Sequence, residues 1–286
     1  MRRHINASWD INAKLAQLFD KPIAFRAKLA QCNALIAGSF ALQFFERVHW
    51  AESDLDIEVQ VGANLDAMHD FLINEAGYQF SLNNKERGSL AKPQDTARPV
   101  TEYVYTGTGG KYGTRDVVEC RTYYQERGTT IVKAQLIATK DIPVQGILRC
   151  YYTTCIVNFI TWNKAYSLFP IATFVDHETI PLKRLNNQEK RYHEKYRPRG
   201  WTMKASPPQV LETGFVTTVR ASSGQRRVGD RHTWAIPLDT AGVTPAPTPD
   251  YVIESSCFEV YTTTTSRRSS SKINADIFAS PGLQYM

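Results

Sequence analysis

Apolar positions along the first third of the chain switch between two periods. From Ser8 to Gln31 they recur at helical spacing: Ile11, Leu15, Leu18 and Phe19, then Phe25 and Leu29. Ser8 is placed to cap this segment, and Asp20-Lys21-Pro22 breaks it, with Pro22 opening a second helix. The run Ala34-Leu35-Ile36-Ala37 reads as a short strand ending in Gly38-Ser39, and Phe40 to Val48 as a helix-like segment. Asp54-Leu55-Asp56-Ile57-Glu58-Val59 then alternates acid and aliphatic, the period of a strand with one buried face. Asn64 to Ala76 predicts an amphipathic helix (Leu65, Met68, Phe71, Leu72) stopped by Gly77, with His69 solvated. Tyr78 to Leu82 predicts a short strand, Asn83 to Pro99 a mobile polar loop, and Thr101 to Tyr105 another strand. Thr106 to Gly113 is Gly-rich but lacks the G-K-[ST] ending of a phosphate loop and reads as a hairpin turn.

Asp116 to Tyr124 and Thr129 to Thr139 predict two strands. Pro143 to Phe169 carries Ile147, Leu148, Tyr151, Cys155, Ile156, Phe159 and Ile160 at helical spacing and predicts a core helix. After Ser206 the character changes. Val210 to Arg220, Arg227 to Ile236 and Tyr251 to Thr263 read as strands, Thr240 to Pro249 as a linker, and Thr264 to Lys272 as a disordered Ser/Arg segment.

The alternation at Asp54 has a chemical consequence. Asp54, Asp56 and Glu58 share one strand face and repel one another unless water or a cation compensates them. Gly38-Ser39, between a strand and a helix, lets the backbone approach a phosphate at a helix N-terminus. Phosphate donors facing metal-binding carboxylates describe a site for a metal–nucleoside triphosphate. A plain strand with a solvated acidic face is the simpler alternative.

The formal charge of +6 and pI near 9.0 favour an acidic partner. The charge is concentrated from Leu182 to Lys204, where Lys183, Arg184, Lys190, Arg191, Lys195, Arg197, Arg199 and Lys204 are interleaved with Tyr192, Tyr196 and Trp201. Basic groups grip phosphates and aromatics stack on bases, which makes this the candidate nucleic-acid surface, with a solvated charged face as the alternative. Five scattered cysteines form no C-x-x-C pair, which argues against zinc, and Cys32 and Cys155 read as buried thiols. The N-terminus lacks the apolar core of a signal peptide and no stretch reads as a membrane span, so the expectation is an intracellular, cytoplasmic location.

The order strand, Gly38-Ser39, helix, short loop, Asp54-x-Asp56 strand resembles the signature of the nucleotidyltransferase superfamily, the DNA polymerase beta-like fold. The stretches GSFALQFFERVHWAESDLDIEV, KAQLIAT, GILRCYYTTCIVNFITWNKAYSLFPIATF and KYRPRGW resemble a group of fungal nucleotidyltransferase-like proteins, over roughly residues 11 to 204. The resemblance implies an α+β fold: a mixed sheet with flanking helices over 1–205, followed by a C-terminal extension over 206–286. It implies that Asp54 and Asp56 hold Mg²⁺ or Mn²⁺, and that Gly38 and Ser39 position the phosphates of a nucleoside triphosphate. Lys164 is a further candidate for meeting the triphosphate, with a solvated lysine as the simpler alternative. The acceptor hydroxyl would belong to RNA, a protein or a small molecule. The resemblance also implies a third carboxylate on the strand TTIVKAQLIAT, where this chain has Gln135; an amide is a weaker metal ligand and no base, and Glu58 or Glu119 would have to substitute. The rival expectation is a catalytically degenerate fold serving as a nucleic-acid-binding or structural protein.

Overall fold

The computed structural model describes residues 9–51, 53–81, 116–182, 194–204, 225–265 and 268–274. Ser8, the loop Asn83 to Pro99, the strand Thr101 to Tyr105, the Gly-rich turn and the strand Val210 to Arg220 lie outside them.

Helix α1 (Ile11–Leu15) is capped by Asp10, whose carboxylate accepts from the Ala13 amide. Helix α2 (Pro22–Gln31) starts on Pro22, whose missing N–H costs nothing in a first turn. Strand β1 (Leu35–Ala37) leads into helix α3 (Gly38–Glu46), and β2 (Leu55–Gln60) returns antiparallel to β1, pairing Leu35 with Glu58 and Ala37 with Asp56. Helix α4 (Ala63–Asp70) runs into a π-helical turn, Phe71–Glu75, and left-handed Gly77 ends it. Strands β3 (Gln79–Ser81), β4 (Val117–Arg127) and β5 (Thr130–Thr139) follow, the last two joined as a hairpin. Strand β5 lies parallel to β2, opposing Asp56 to Gln135.

The predicted long helix after Pro143 is corrected. Only α5 (Pro143–Cys150) is helical. Tyr151 turns extended, a short 3₁₀ turn follows at Thr154–Ile156, and β6 (Asn158–Ile160) and β7 (Lys164–Ser167) form a hairpin. The physical reason is the residue type: NFI and KAYS alternate faces about a Trp-Asn turn and supply the aromatic and branched side chains that fit a pleated surface.

Two short strands, β8 (Glu178–Thr179) and β9 (Thr202–Met203), pair in parallel. In the C-terminal part β10 (Gln225–Arg227), β12 (Cys257–Thr265) and β13 (Arg268–Asn274) form a small antiparallel sheet. The residues from Arg268 are therefore strand rather than disordered. Strand β11 (Trp234–Pro237) joins the main sheet beside β7, and helix α6 (Asp250–Glu254) occupies the start of the strand expected at Tyr251.

The main sheet is mixed, in the order β11-β7-β6-β1-β2-β5-β4-β3, and with the helices it makes an α+β fold. One face carries Leu55, Ile57, Val59, Ala134 and Leu136 against α1, α2 and α4; the other packs Leu35, Ala37 and Phe159 against Val144, Ile147 and Leu148 of α5. Buried Arg26 ties the first layer to the sheet: its guanidinium donates to the Trp162 carbonyl and to Asn12 Oδ1. The C-terminal part is held to β7 by polar pins. Lys164 Nζ lies 2.8 Å from Asp250 and 2.9 Å from Glu254, and the Tyr166 hydroxyl donates to Glu254. Among the described residues no helix is long and apolar enough to cross a membrane. Cys32 and Cys155 are buried free thiols, and burial raises them to about 11 and about 12.

Burial alone would lower the Lys164 ammonium, but its hydrogen bonds to Asp250 and Glu254 outweigh this and hold it above its ordinary 10.5. A raised folded value stabilises fully below the unfolded value and is lost as pH climbs through the folded one. Lys164→Met should therefore lower the free energy of unfolding by about 1–3 kcal/mol at neutral pH. In urea titrations the gap between the two proteins should close only above pH 10.5.

Candidate functional site

The β1–α3–β2 unit sets the site. The three acids of β2 and its approach lie on one face, and their exposure falls along the strand. The Asp54 side chain is 30% exposed, Asp56 is 6% exposed and Glu58 is fully buried. Each negative charge meets a different compensation. Asp54 Oδ2 lies 2.7 Å from Lys133 Nζ, on the neighbouring strand β5. Asp56 rests on the first turn of α3, where aligned peptide dipoles favour negative charge. Glu58 lies under α5 and accepts from the Tyr151 hydroxyl at 3.3 Å. Burial first, and then the charges of Glu58 and Asp56, push the Tyr151 phenol well above its ordinary range, so it stays a donor.

Gly38 is what lets Asp56 sit there. Its φ is +65°, and a Cβ added to it would overlap Asp56 Oδ2 and fall 3.2 Å from Asp56 Cγ. Both the backbone twist and the contact exclude a side chain. Gly146 plays the matching part at the other end, where α5 crosses β2: an added Cβ would overlap Thr139 and stand 3.3 Å from Glu58 Oε2.

Ser39 is buried and its hydroxyl is tied to Ser53 Oγ at 2.8 Å. Gln43, the one polar side chain in the apolar run of α3 after Ser39, organises the α3–β2 loop. Its Nε2 donates to Ser53 Oγ and to the Ser39 carbonyl, and its Oε1 accepts from the Trp50 amide. Sequence reading missed Gln43, Ser53 and Lys133. A lone buried amide inside FALQFF was the available signal for the first, and the shared face of Lys133 and Gln135 for the last.

Gln135 stands opposite Asp56 in register, and its Nε2 approaches Cys120 Sγ at 3.8 Å. Glu119 is engaged by Arg121 at 2.7 Å. Among the described residues no group of three His, Cys, Asp or Glu side chains is gathered as a metal site. The donor set at the mouth is therefore Asp54, Asp56 and the amide of Gln135, with Lys133 already on Asp54. That set fits only an ion that keeps most of its shell from water and phosphate, as Mg²⁺ does.

Lys164 lies elsewhere. The row Ala165–Ile160–Ile36–Ile57 crosses the sheet, so Lys164 is about 14 Å from β2 at the strand spacing. It also sits toward the Glu58 end, away from Asp54, and its charge is spent on Asp250 and Glu254. His69 is not solvated; its Nδ1 is 2.7 Å from the Tyr123 hydroxyl.

Lys190 and Arg191 lie outside the described residues. Of the remaining candidates, Arg197 is exposed, Lys195 half-buried, and Arg199 stacks its guanidinium 4.1 Å over the Trp50 ring. Tyr196 and Trp201 are not stacking platforms for bases: they are buried with Trp50, and Trp201 Nε1 donates to the Thr173 carbonyl. Tyr196 and Trp201 share a core cluster with Ala37, Ile147 and Tyr151, on the α5 side of the sheet, and burial first, then Cys155 and Asp56, raise the Tyr196 phenol. Arg199 Nη1 is buried without a hydrogen-bond partner among the described residues, a few residues in space from the Trp50–Ser53 loop.

No protein-family model and no curated protein matches the chain.

Gly38→Ala should destabilise by about 2 kcal/mol or more, combining left-handed strain with displacement of Asp56. In an Asp56→Ala background the clash is gone, and about 1–2 kcal/mol should remain. A double-mutant cycle in urea measures the coupling; equal costs in both backgrounds would show that Asp56 is not what Gly38 accommodates.

Proposed function

We propose that the chain is a nucleotidyltransferase that moves a nucleoside monophosphate from a nucleoside triphosphate to a hydroxyl acceptor. The observation that carries the reading is the glycine-opened start of α3 with the Asp56 carboxylate laid against it, and Asp54 at the exposed mouth. In this reading the amides of Gly38 and Ser39 bind phosphate oxygens, and Asp54 and Asp56 hold the divalent ion, Mg²⁺ or Mn²⁺, that accompanies the nucleotide. That ion, when bound, stabilises charge on the attacking and leaving oxygens. The acceptor oxygen bonds to the α-phosphorus, the bond to the bridging oxygen breaks, pyrophosphate leaves, and the acceptor proton passes to solvent. In this reading Arg199, stacked on Trp50, takes the phosphate-binding part that Lys164, held by Asp250 and Glu254, does not. The acceptor classes are RNA, a protein or a small molecule.

A second reading is favoured by one specific contact. Lys133 already occupies Asp54, and the start of α3 already lies against Asp56, so both acids have a compensating contact without a metal. A fold so compensated serves as a binding or structural protein.

Label from the α-phosphate of each nucleoside triphosphate, offered with Mg²⁺ or Mn²⁺ to bulk RNA and to protein, should be incorporated by the intact chain. Asp54→Ala/Asp56→Ala should abolish it. Gln135→Glu restores a carboxylate beside Asp56 and should tighten Mn²⁺ by about tenfold, read by Mn²⁺ titration. No incorporation, with no Mn²⁺ bound by the intact chain or by Gln135→Glu, would leave the metal-free reading in its place.

A further inference from the structure

A cleft opens at the far end of the same sheet, away from Asp54, where the ends of α2, β1, β2 and β6 and the start of α5 converge under the segment 246–253. Its volume is about 320 Å³. Leu29, Ile142, Pro143 and Trp162 make apolar walls. Two sets of contacts hold these walls in place. Arg26 grips the Trp162 carbonyl through Nε and Nη2 at 3.0 and 2.6 Å. The covering segment is pinned through Asp250, which accepts from Asn163 Nδ2 at both oxygens and pairs with Lys164.

Three features select the ligand. The first is charge. Asp250 is the one ionisable side chain of the lining, and Lys164 and Asn163 already satisfy it, so the cleft presents no uncompensated charge. A phosphate or a free carboxylate would lose its hydration here without a partner. The second is size. A dry cavity of about 150 Å³ holds one benzene, so this volume takes a body of roughly two fused rings. The third is polarity. The side-chain amides of Asn33, Gln60 and Asn64 border the cleft and make no hydrogen bond to another described residue. Each offers a donor and an acceptor side by side, the complement of a lactam or carboxamide edge. Apolar walls with a few convergent polar groups, set between the sheet and its covering segment, are the usual make-up of a small-molecule site.

We infer that this cleft is a binding site for an uncharged, flat, bicyclic-sized aromatic molecule bearing a lactam or amide edge. The site lies at the other end of β2 from the Asp54 mouth and does not depend on the nucleotidyl-transfer reading.

The probe is quinolin-2-one, titrated calorimetrically into the full chain. Saturable one-to-one binding is expected. Ala246, half-exposed on the covering segment, borders the cleft, and Ala246→Trp should fill the cleft and weaken binding at least about tenfold, with the unfolding midpoint unchanged. Asn64→Leu keeps the apolar volume and should weaken quinolin-2-one more than its N-methyl derivative, which has lost the donor. ATP should not compete. Absence of saturable binding to the intact chain, binding indifferent to Ala246→Trp, or displacement by ATP would each overturn the inference.

Discussion

Three carboxylates on one face of β2 are the constraint that the centre of this sheet has to satisfy. Burying a carboxylate without a partner is costly, and the cost rises from Asp54 to Glu58 as exposure falls. The chain instead meets them one by one along a gradient of burial: a lysine from β5 at the exposed end, a helix start in the middle, and a tyrosine hydroxyl where no water reaches. The parallel register of β5 brings Lys133 and Gln135 to the acidic face, and α5 carries the chain to Tyr151 over it. Both glycines that face the acids, Gly38 and Gly146, leave out a side chain so that a carboxylate has room.

The loop between α3 and β2 follows from the same arrangement. Ser39, Ser53 and Gln43 bond one another, and Gln43 also holds the Trp50 amide, so the chain before Asp54 is fixed by a small buried polar network. Such a network is costly when half-made and specifying when complete. Trp50, placed by it, then receives Trp201, Tyr196 and the Arg199 guanidinium. A stretch that reads as a charged surface is thus built into the acidic side of the sheet through its aromatic residues.

What was legible in the sequence was what short-range pattern controls. Period-2 alternation placed Asp54, Asp56 and Glu58 on one face, Pro22 opened α2, and Gly77 closed the helix that precedes β3. What was not legible depended on partners distant in sequence. Lys164 read as a free cation because its carboxylates lie up to 90 residues later. Tyr196 and Trp201 read as exposed aromatics because Trp50 lies far upstream. The stretch from Tyr151 to Ser167 satisfied a helical template because a buried hairpin is apolar on both faces, and periodicity does not separate that from a buried helix. Lys133 and Gln135 were visible as a pair on one face, but only the register with β2 shows which acid each one opposes.

The Lys133–Asp54 contact bears most directly on the choice between the two functional readings. An ammonium within 2.7 Å of a half-buried carboxylate supplies one positive charge at the mouth, and a divalent ion there supplies two. Both can be held only if nearby negative charge is sufficient, and Gln135, opposite Asp56, adds only a neutral amide. A triphosphate brings that charge with it. Under the proposed transfer reading, an ion entering on a triphosphate brings its own negative charge, whereas an ion entering alone competes with Lys133 for Asp54. Under the proposed transfer reading, the acidic face would disfavour free metal relative to metal already on phosphate, and under the binding reading the neutral amide of Gln135 marks a face that holds no metal.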